Sequence, residues 1–338
     1  MQAFRKTISA AIAIISTFAT LLLGVGFAIT SQAQTFPTKP VTLMVPYPAG
    51  GLSDVIARRV NAPLGKALGQ PVLVDNLGGA SGSIAAQKVL TLPSDGYMLF
   101  QGSPNELIFA PLAISSAKYK PEDFRQIHRV GMAPMAIMAR ADLPANNADE
   151  LVAYAIKSAK EGKTMTYASV GIGSFYHLLG EQMSKVIGAP MLHVPYKGGA
   201  DVFKDMMGSQ VDIFISPYGA PQVELAKIGK IKFIAAVSPG RGPLLPDVAS
   251  TTESKLLKTF TAEIGTGYFV KRDTPEPVVQ ALHKAIQTVM VDAEFKAGIV
   301  ALGQEMSPLQ SLDAANKAFA EETAQYRAIA KSINLQPQ

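Results

Sequence analysis

The sequence predicts two α/β domains, each a largely parallel sheet with helical crossovers. Short β-branched or apolar runs alternate with helical patterns bounded by Gly and Pro, and this rhythm occurs once between residues 41 and 100 and again between 165 and 237. A chain of 338 residues suits two ordinary domains, with one large domain as the alternative on length alone.

In the first run, 41–45 reads as a strand, 54–68 as a helix, 71–74 as a strand, 83–92 as a helix and 97–100 as a strand. Pro63 interrupts the first helical pattern. It denies a hydrogen bond to the Arg59 carbonyl and is expected to kink or end that helix. In the second run, strands are expected at 165–169, 191–194, 211–215 and 233–237, with helices from Ser174, at 200–207 and at 221–228. Two apolar, Gly-interrupted stretches, 132–139 and 260–270, are placed to cross between the domains. Helical patterns at 275–291 and 312–332 close the chain. The resulting division is 1–33 as a leader, 34–135 and 263–338 as one lobe, and 136–262 as the other.

The leader reading rests on Arg5 and Lys6 ahead of an apolar stretch at 8–29, followed by Ser31, Gln32 and Ala33. That is the small-x-small pattern of a secretory cleavage site, here after Ala33. An uncleaved anchor is the alternative, since the stretch is long enough to span a bilayer. Ser9, Ser16, Thr17 and Thr20 dilute it and favour cleavage, which places the protein in the periplasm. Without Arg5 and Lys6 the formal charge falls from +5 to +3, too mild to argue for nucleic acid or an anionic membrane. The complete absence of cysteine excludes disulfides, thiolate metal sites and a cysteine nucleophile.

Four segments place Gly or Ser just after an expected strand: 48–54, 78–83, 102–103 and 169–174. Ligands of open α/β sheets bind at the carboxyl ends of strands, where helix amino termini and small side chains admit an anion. The recurrence of such loops in both runs points to an anion cradle, whereas each loop alone would be an ordinary turn with a helix cap. Nucleotide fingerprints are missing: Gly171 and Gly173 lack their third glycine, Tyr176 standing there, and no loop ends in Gly-Lys-Ser/Thr. Hydrolase templates fare no better, with no G-x-S-x-G elbow and four histidines, His128, His177, His193 and His283, in no metal-pair spacing. His177 either faces the loop at 169–174 or is a structural histidine. Asp54 reads as a first-turn helix residue favoured by the dipole rather than a catalytic acid.

At these loops the chain resembles the Bug (TctC-like) family of extracytoplasmic solute receptors. The resemblance runs through VPYPAGGLSDVIAR from Val45, GQPVLVDN from Gly69, SDGYMLFQGS from Ser94, MTYASVGIGS from Met165, HVPYKGGAD from His193 and LPDVAST from Leu245. It implies a two-lobed periplasmic-binding-protein fold of the type II kind with two crossovers, a ligand in the cleft, and no reaction, cofactor or metal. It also implies a small carboxylate ligand, delivered by a monomeric receptor to the membrane permease of a tripartite tricarboxylate transporter. Carried over by position, Tyr47, Gly50, Gly51, Ser53 and Asp54 form the first ligand loop, with Ser53 at a usual Thr, and Ser169, Gly171, Gly173 and Ser174 form the second. Ser103, His177, Tyr196 and Ser216 complete the candidate set, and a bulky residue at position 174 is expected to abolish binding.

Departures from the family pattern shape the expected ligand. Ser216 stands where the family often has Asp, which disfavours an amino acid. Gly265 and Thr266 fall at positions often aromatic, while Ile172, Phe175 and Tyr176 replace smaller or polar residues at the second loop, with a place in the core as the alternative for Phe175 and Tyr176. These changes suggest a ligand with a hydrophobic body, an aromatic carboxylate or a longer dicarboxylate. Glu106 stands where the family commonly has a small hydroxyl residue and, if it faces the cleft, would repel a second carboxylate and so favour a monocarboxylate. The rivals are a receptor signalling to a membrane sensor, an exported serine hydrolase using Ser174 and His177, and a structural or adhesion module.

Overall fold

The computed structural model describes residues 36–242, 244–332, 335 and 337. The expected leader and its cleavage site lie outside the described residues.

Strand β1 (Val41–Val45), helix α1 (Leu52–Leu68), β2 (Val72–Asn76), α2 (Ser83–Thr91) and β3 (Met98–Gly102) form the first βαβαβ unit. β1 lies between β2 and β3 and is parallel to both, as right-handed helical crossovers require. A wide turn at Asn105–Phe109 leads into the short α3 (Ala110–Ala113). The chain then enters β4 (Phe124–Arg140), a 17-residue strand with most positions buried. The second unit runs through α4 (Ala148–Lys160), β5 (Thr166–Ser169), α5 (Phe175–Ile187), β6 (Leu192–Pro195), α6 (Gly199–Met207), β7 (Ile213–Pro217), α7 (Ala220–Lys227) and β8 (Ile231–Ala236). It closes through β9 (Glu263–Lys271), α8 (Glu276–Val291), α9 (Ala293–Ala301), β10 (Glu305–Met306) and α10 (Leu312–Ser332).

The strands follow the order β2-β1-β3-β9-β4-β7-β5-β6, with β8 and β10 also on β4. β4 joins the two halves. Its first part pairs antiparallel with β9, and Met135 to Arg140 pair with β7 and β8. Shifts of register at Gln126/His128, Arg129/Gly131 and Ile137/Met138 let one strand serve both halves. Gly131 is required there, since a Cβ would stand 2.3 Å from the Glu305 carbonyl oxygen. The stretch 132–139 lies inside β4, and 260–270 leads into and along β9.

Each half has its own core. Met44, Phe100, Phe124, Phe269 and Phe319 pack together in the first, and Ile137, Tyr167, Ile213, Phe214 and Ile234 in the second. Helix α1 continues through Pro63 to Leu68, contrary to the expected kink or stop. Val60 and Leu64, buried on either side of the proline, hold the helix down where it packs against α8 and α9, and that burial outweighs one missing backbone bond. Among the described residues no helix is long and apolar enough to cross a membrane.

Candidate functional site

A cavity of about 110 Å³ opens at the carboxyl ends of β1, β3, β5 and β7. Two helices aim their amino termini at it. Gly51, the N-cap of α1, is extended and has no side chain to bond the first-turn amides, and Leu52 and Ser53 of that turn line the cavity. Gly198, the N-cap of α6, likewise offers no side-chain cap, and Gly199 and Ala200 line the same space. The loops meet directly: a Cβ on Gly198 would stand 2.6 Å from Pro48 Cδ.

Asp54 holds the first loop from behind. It is buried, and its Oδ2 accepts from the Gly50 amide and from Arg58 Nε, each at 2.9 Å. Burial pushes the carboxyl upward, but Arg58 and the Gly50 amide outweigh this and leave it below the usual carboxylate range. Gly50 has φ +85, the left-handed conformation the turn needs. Gln101 Nε2 donates to the Ser53 carbonyl at 2.7 Å and ties β3 to the same turn.

Tyr47, Gly50, Gly51, Ser53, Ser103 and Ser216 line the cavity, together with Tyr176, Thr266, Gln101 and Gln222. Its apolar wall includes Ile56, Phe203, Phe214 and Ile264. Glu106 also lines it, buried, with Oε2 accepting from Tyr47 Oη at 2.8 Å and Ser103 Oγ at 2.9 Å, and Oε1 from the Ser103 amide. Burial raises its pKa to about 7 despite these bonds.

The remaining sequence candidates, Asp54, Ser169, Gly171, Gly173, Ser174, His177 and Tyr196, are not among the lining residues. The loop 169–174 is filled by protein groups. Ser174 Oγ caps α5 by accepting from the His177 amide at 3.2 Å, and the Phe175 amide donates to Asn105 Oδ1 at 2.7 Å. Ser81 Oγ donates to the Ile172 carbonyl at 2.9 Å, and His177 Nδ1 accepts from the Gly173 amide. Gly171 and Gly173 fit because they lack a Cβ, which would stand 2.7 Å from Ser81 Oγ and 2.2 Å from Ala113 Cβ. Ser169 Oγ bonds His193 Nε2 at 2.6 Å, and His193 stacks on His177 with ring centroids 4.0 Å apart. Phe175 stacks on Phe109 at 5.3 Å beside a separate, wider groove that His177 also lines. Tyr196 Oη donates to Asp205 at 3.0 Å.

Sequence reasoning missed Gly199 and Ala200 as lining residues. The signal was present in YKGGAD from Tyr196, which repeats the pattern of YPAGGLSD from Tyr47: a tyrosine, a short spacer and Gly-Gly opening a helix with an early Asp. Chemically, Ser174 Oγ accepts the His177 amide and His177 Nδ1 accepts the Gly173 amide, so these bonds tie the two side chains to backbone rather than to each other. Among the described residues no group of three His, Asp or Glu side chains is arranged to hold a metal ion.

Comparison with known proteins identifies the family and the fold. Residues 56–335 match the tripartite tricarboxylate transporter family receptor (TctC). A UPF0065 protein of Agrobacterium vitis is 34% identical over 301 residues, covering 87% of this chain and 85% of its own. Protein BugT of Bordetella pertussis is 32% identical over 234 residues, covering 68% and 69%. Among solved structures, the periplasmic binding protein BugD is 32% identical with a TM-score of 0.82, covering 90% of this chain and 100% of its own. A Rhodopseudomonas palustris protein solved with adipate is 27% identical at TM-score 0.82, covering 90% and 100%. MatC of Rhodopseudomonas palustris, solved with bound malate, is 26% identical at TM-score 0.79, covering 87% and 99%. Those identities and shared lengths leave one conclusion: this chain has the periplasmic-binding-protein fold and belongs to the tripartite tricarboxylate transporter receptor family, the Bug proteins.

Proposed function

We propose that this protein is a periplasmic solute-binding protein that captures a small organic carboxylate and delivers it, unchanged, to the membrane permease of a tripartite tricarboxylate transporter. The observation that carries this reading is the convergence of two uncapped helix amino termini, α1 and α6, on one cavity whose described lining contains no Lys, Arg or His. Backbone amides and aligned dipoles offset the cost of desolvating a carboxylate without a salt bridge. Malate and adipate in the related structures are ligands of that chemistry.

In this reading residues 34–135 and 263–338 form one lobe and 136–262 the other, export ends with cleavage after Ala33, and the receptor acts as a monomer. A ligand that touches both helix termini binds the closed arrangement best, and that differential affinity drives closure. The apolar wall suits a ligand with a hydrophobic body.

The test is a thermal-shift screen of residues 34–338, refolded to strip any co-purified solute, against aliphatic and aromatic carboxylates with amino acids and sugars as controls. At a hundred times its dissociation constant a native-state ligand adds about 2.7 kcal/mol, a shift of about a few degrees. A response confined to carboxylates supports the proposal, and a response confined to sugars or amino acids overturns it.

A further inference from the structure

The geometry points to Glu106 as the residue that restricts this cavity to ligands carrying a single carboxylate; this deepens the carboxylate reading above and rests on it. Among the described lining residues Glu106 is the one charged group, and no cation accompanies it. A first carboxylate has the amides of α1 and α6 to bond. A second carboxylate on the same molecule finds no cation and a buried acid of its own sign.

The side chain is held in place by hydrogen bonds. Three donors, Tyr47 Oη, the Ser103 amide and Ser103 Oγ, hold both its oxygens, and Asn105 Nδ2 in turn holds Tyr47 Oη at 2.6 Å. A Cβ on Gly82 would lie 2.8 Å from Glu106 Cβ, so the backbone behind it is equally confined. The same three donors fill three of the carboxylate's roughly four lone-pair sites, which leaves a ligand ammonium at most about one of them. Selection therefore works by repulsion at one end of the site and by apolar contact with Phe203, Phe214 and Ile264 along it.

The groups facing Glu106 are Tyr47 from the first loop, Tyr119 from the segment after α3, whose hydroxyl donates to the Glu106 carbonyl, and Tyr176 from α5. Burial raises all three phenols, so they stay neutral while Glu106, with its pKa near 7, gains or loses its charge.

Three six-carbon ligands separate the possibilities by calorimetry on the wild type, Glu106→Gln and Glu106→Thr: hexanoate, adipate and 6-aminohexanoate. At about pH 8 the wild type is expected to prefer hexanoate over adipate by roughly tenfold or more, and either substitution to close that gap by raising adipate affinity. Lowering the pH of the wild type to about 6 is expected to move the ratio the same way, without any mutation to perturb folding. Adipate binding the wild type as tightly as hexanoate overturns the charge rule alone. Tighter binding of 6-aminohexanoate that disappears in Glu106→Gln overturns it in favour of an ammonium partner. Silence toward hexanoate and adipate in every protein at both pH values, with a thermal-shift response confined to sugars or amino acids, overturns the carboxylate reading itself, and the charge rule falls with it.

Discussion

The amino termini of α1 and α6 differ from that of α5 in one respect that decides what each can do. All three follow a strand through a Gly-rich turn. The N-caps of α1 and α6 are glycines with no side-chain bond, whereas α5 is capped by Ser174 and receives Asn105 Oδ1 on its Phe175 amide. Open amides at the first two termini are available to a solute; at the third they are spent on the protein. The α5 terminus thus works as a clasp between the halves of the sheet, with Ser81 and Asn105 from the first half gripping Ile172 and Phe175 of the second. A Gly-rich turn ahead of a helix is an anion site only where nothing else has taken its amides.

The sharpest way to break this comparison is at the clasp. Gly173→Ala places a Cβ against Ala113 in a residue with φ +73, and is expected to cost roughly 3 kcal/mol in denaturant unfolding. Gly188→Ala, with φ +66 and open space around it, carries the backbone cost alone and should lose about 1 kcal/mol. Equal losses in the two variants would show that the close approach at Gly173 contributes nothing.

Next in size is Gly51→Asp. Gly51 has ordinary negative φ and its Cβ position meets only Pro48 O at 3.7 Å, so the fold accepts a side chain there. The new carboxylate caps α1 and should raise stability by about a few tenths of a kcal/mol, while occupying the amides and lowering carboxylate affinity by roughly a hundredfold. Retained affinity would remove the α1 terminus from the site.

The buried acid beside the open termini gives a third test. A carboxyl whose folded pKa is raised binds its proton more tightly in the native state, so its contribution to stability is present below the unfolded value near 4.5 and is lost as pH rises through about 7. The stability of Glu106→Gln relative to wild type should therefore increase between about pH 5 and pH 8, by on the order of 2 kcal/mol. A flat difference across that window would mean that Glu106 titrates normally. The smallest effect is expected at Ser174→Ala, which removes the α5 cap and should cost about 1 kcal/mol of stability with affinity changed by no more than about twofold. A large loss of affinity without loss of stability would instead make α5 a ligand terminus.

Much of the fold was legible because local patterns suffice for it. The β-branched run at Val41–Val45, the amphipathic spacing of α8 and the Ser174 cap ahead of α5 all appear where the sequence places them. Helix α4 was overlooked although Asn147 followed by Glu150 announces it; Asn147 Oδ1 accepts the Glu150 amide and the Glu150 carboxylate accepts the Asn146 amide. The wide turn at Asn105–Phe109 carries no comparable signal, and the length of β4 exceeds any run of its alternating pattern because its two ends pair with different halves. Pro63 read as a breaker because the burial of Val60 and Leu64 is not visible in the pattern of one helix.

The sequence by itself determined the alternation of strands and helices, the Gly-rich turns at strand ends, and the absence of thiol chemistry, since each follows from residues that are neighbours along the chain. Tertiary structure alone decided which of those turns stays open. Asn105 reaches the α5 terminus across 70 positions and Ser81 reaches Ile172 across 91, while among the described residues the N-caps Gly51 and Gly198 have no side-chain cap bond. Whether a backbone amide is left for a ligand depends on every group that folding brings within about 3 Å of it, and that distance has no counterpart along the sequence.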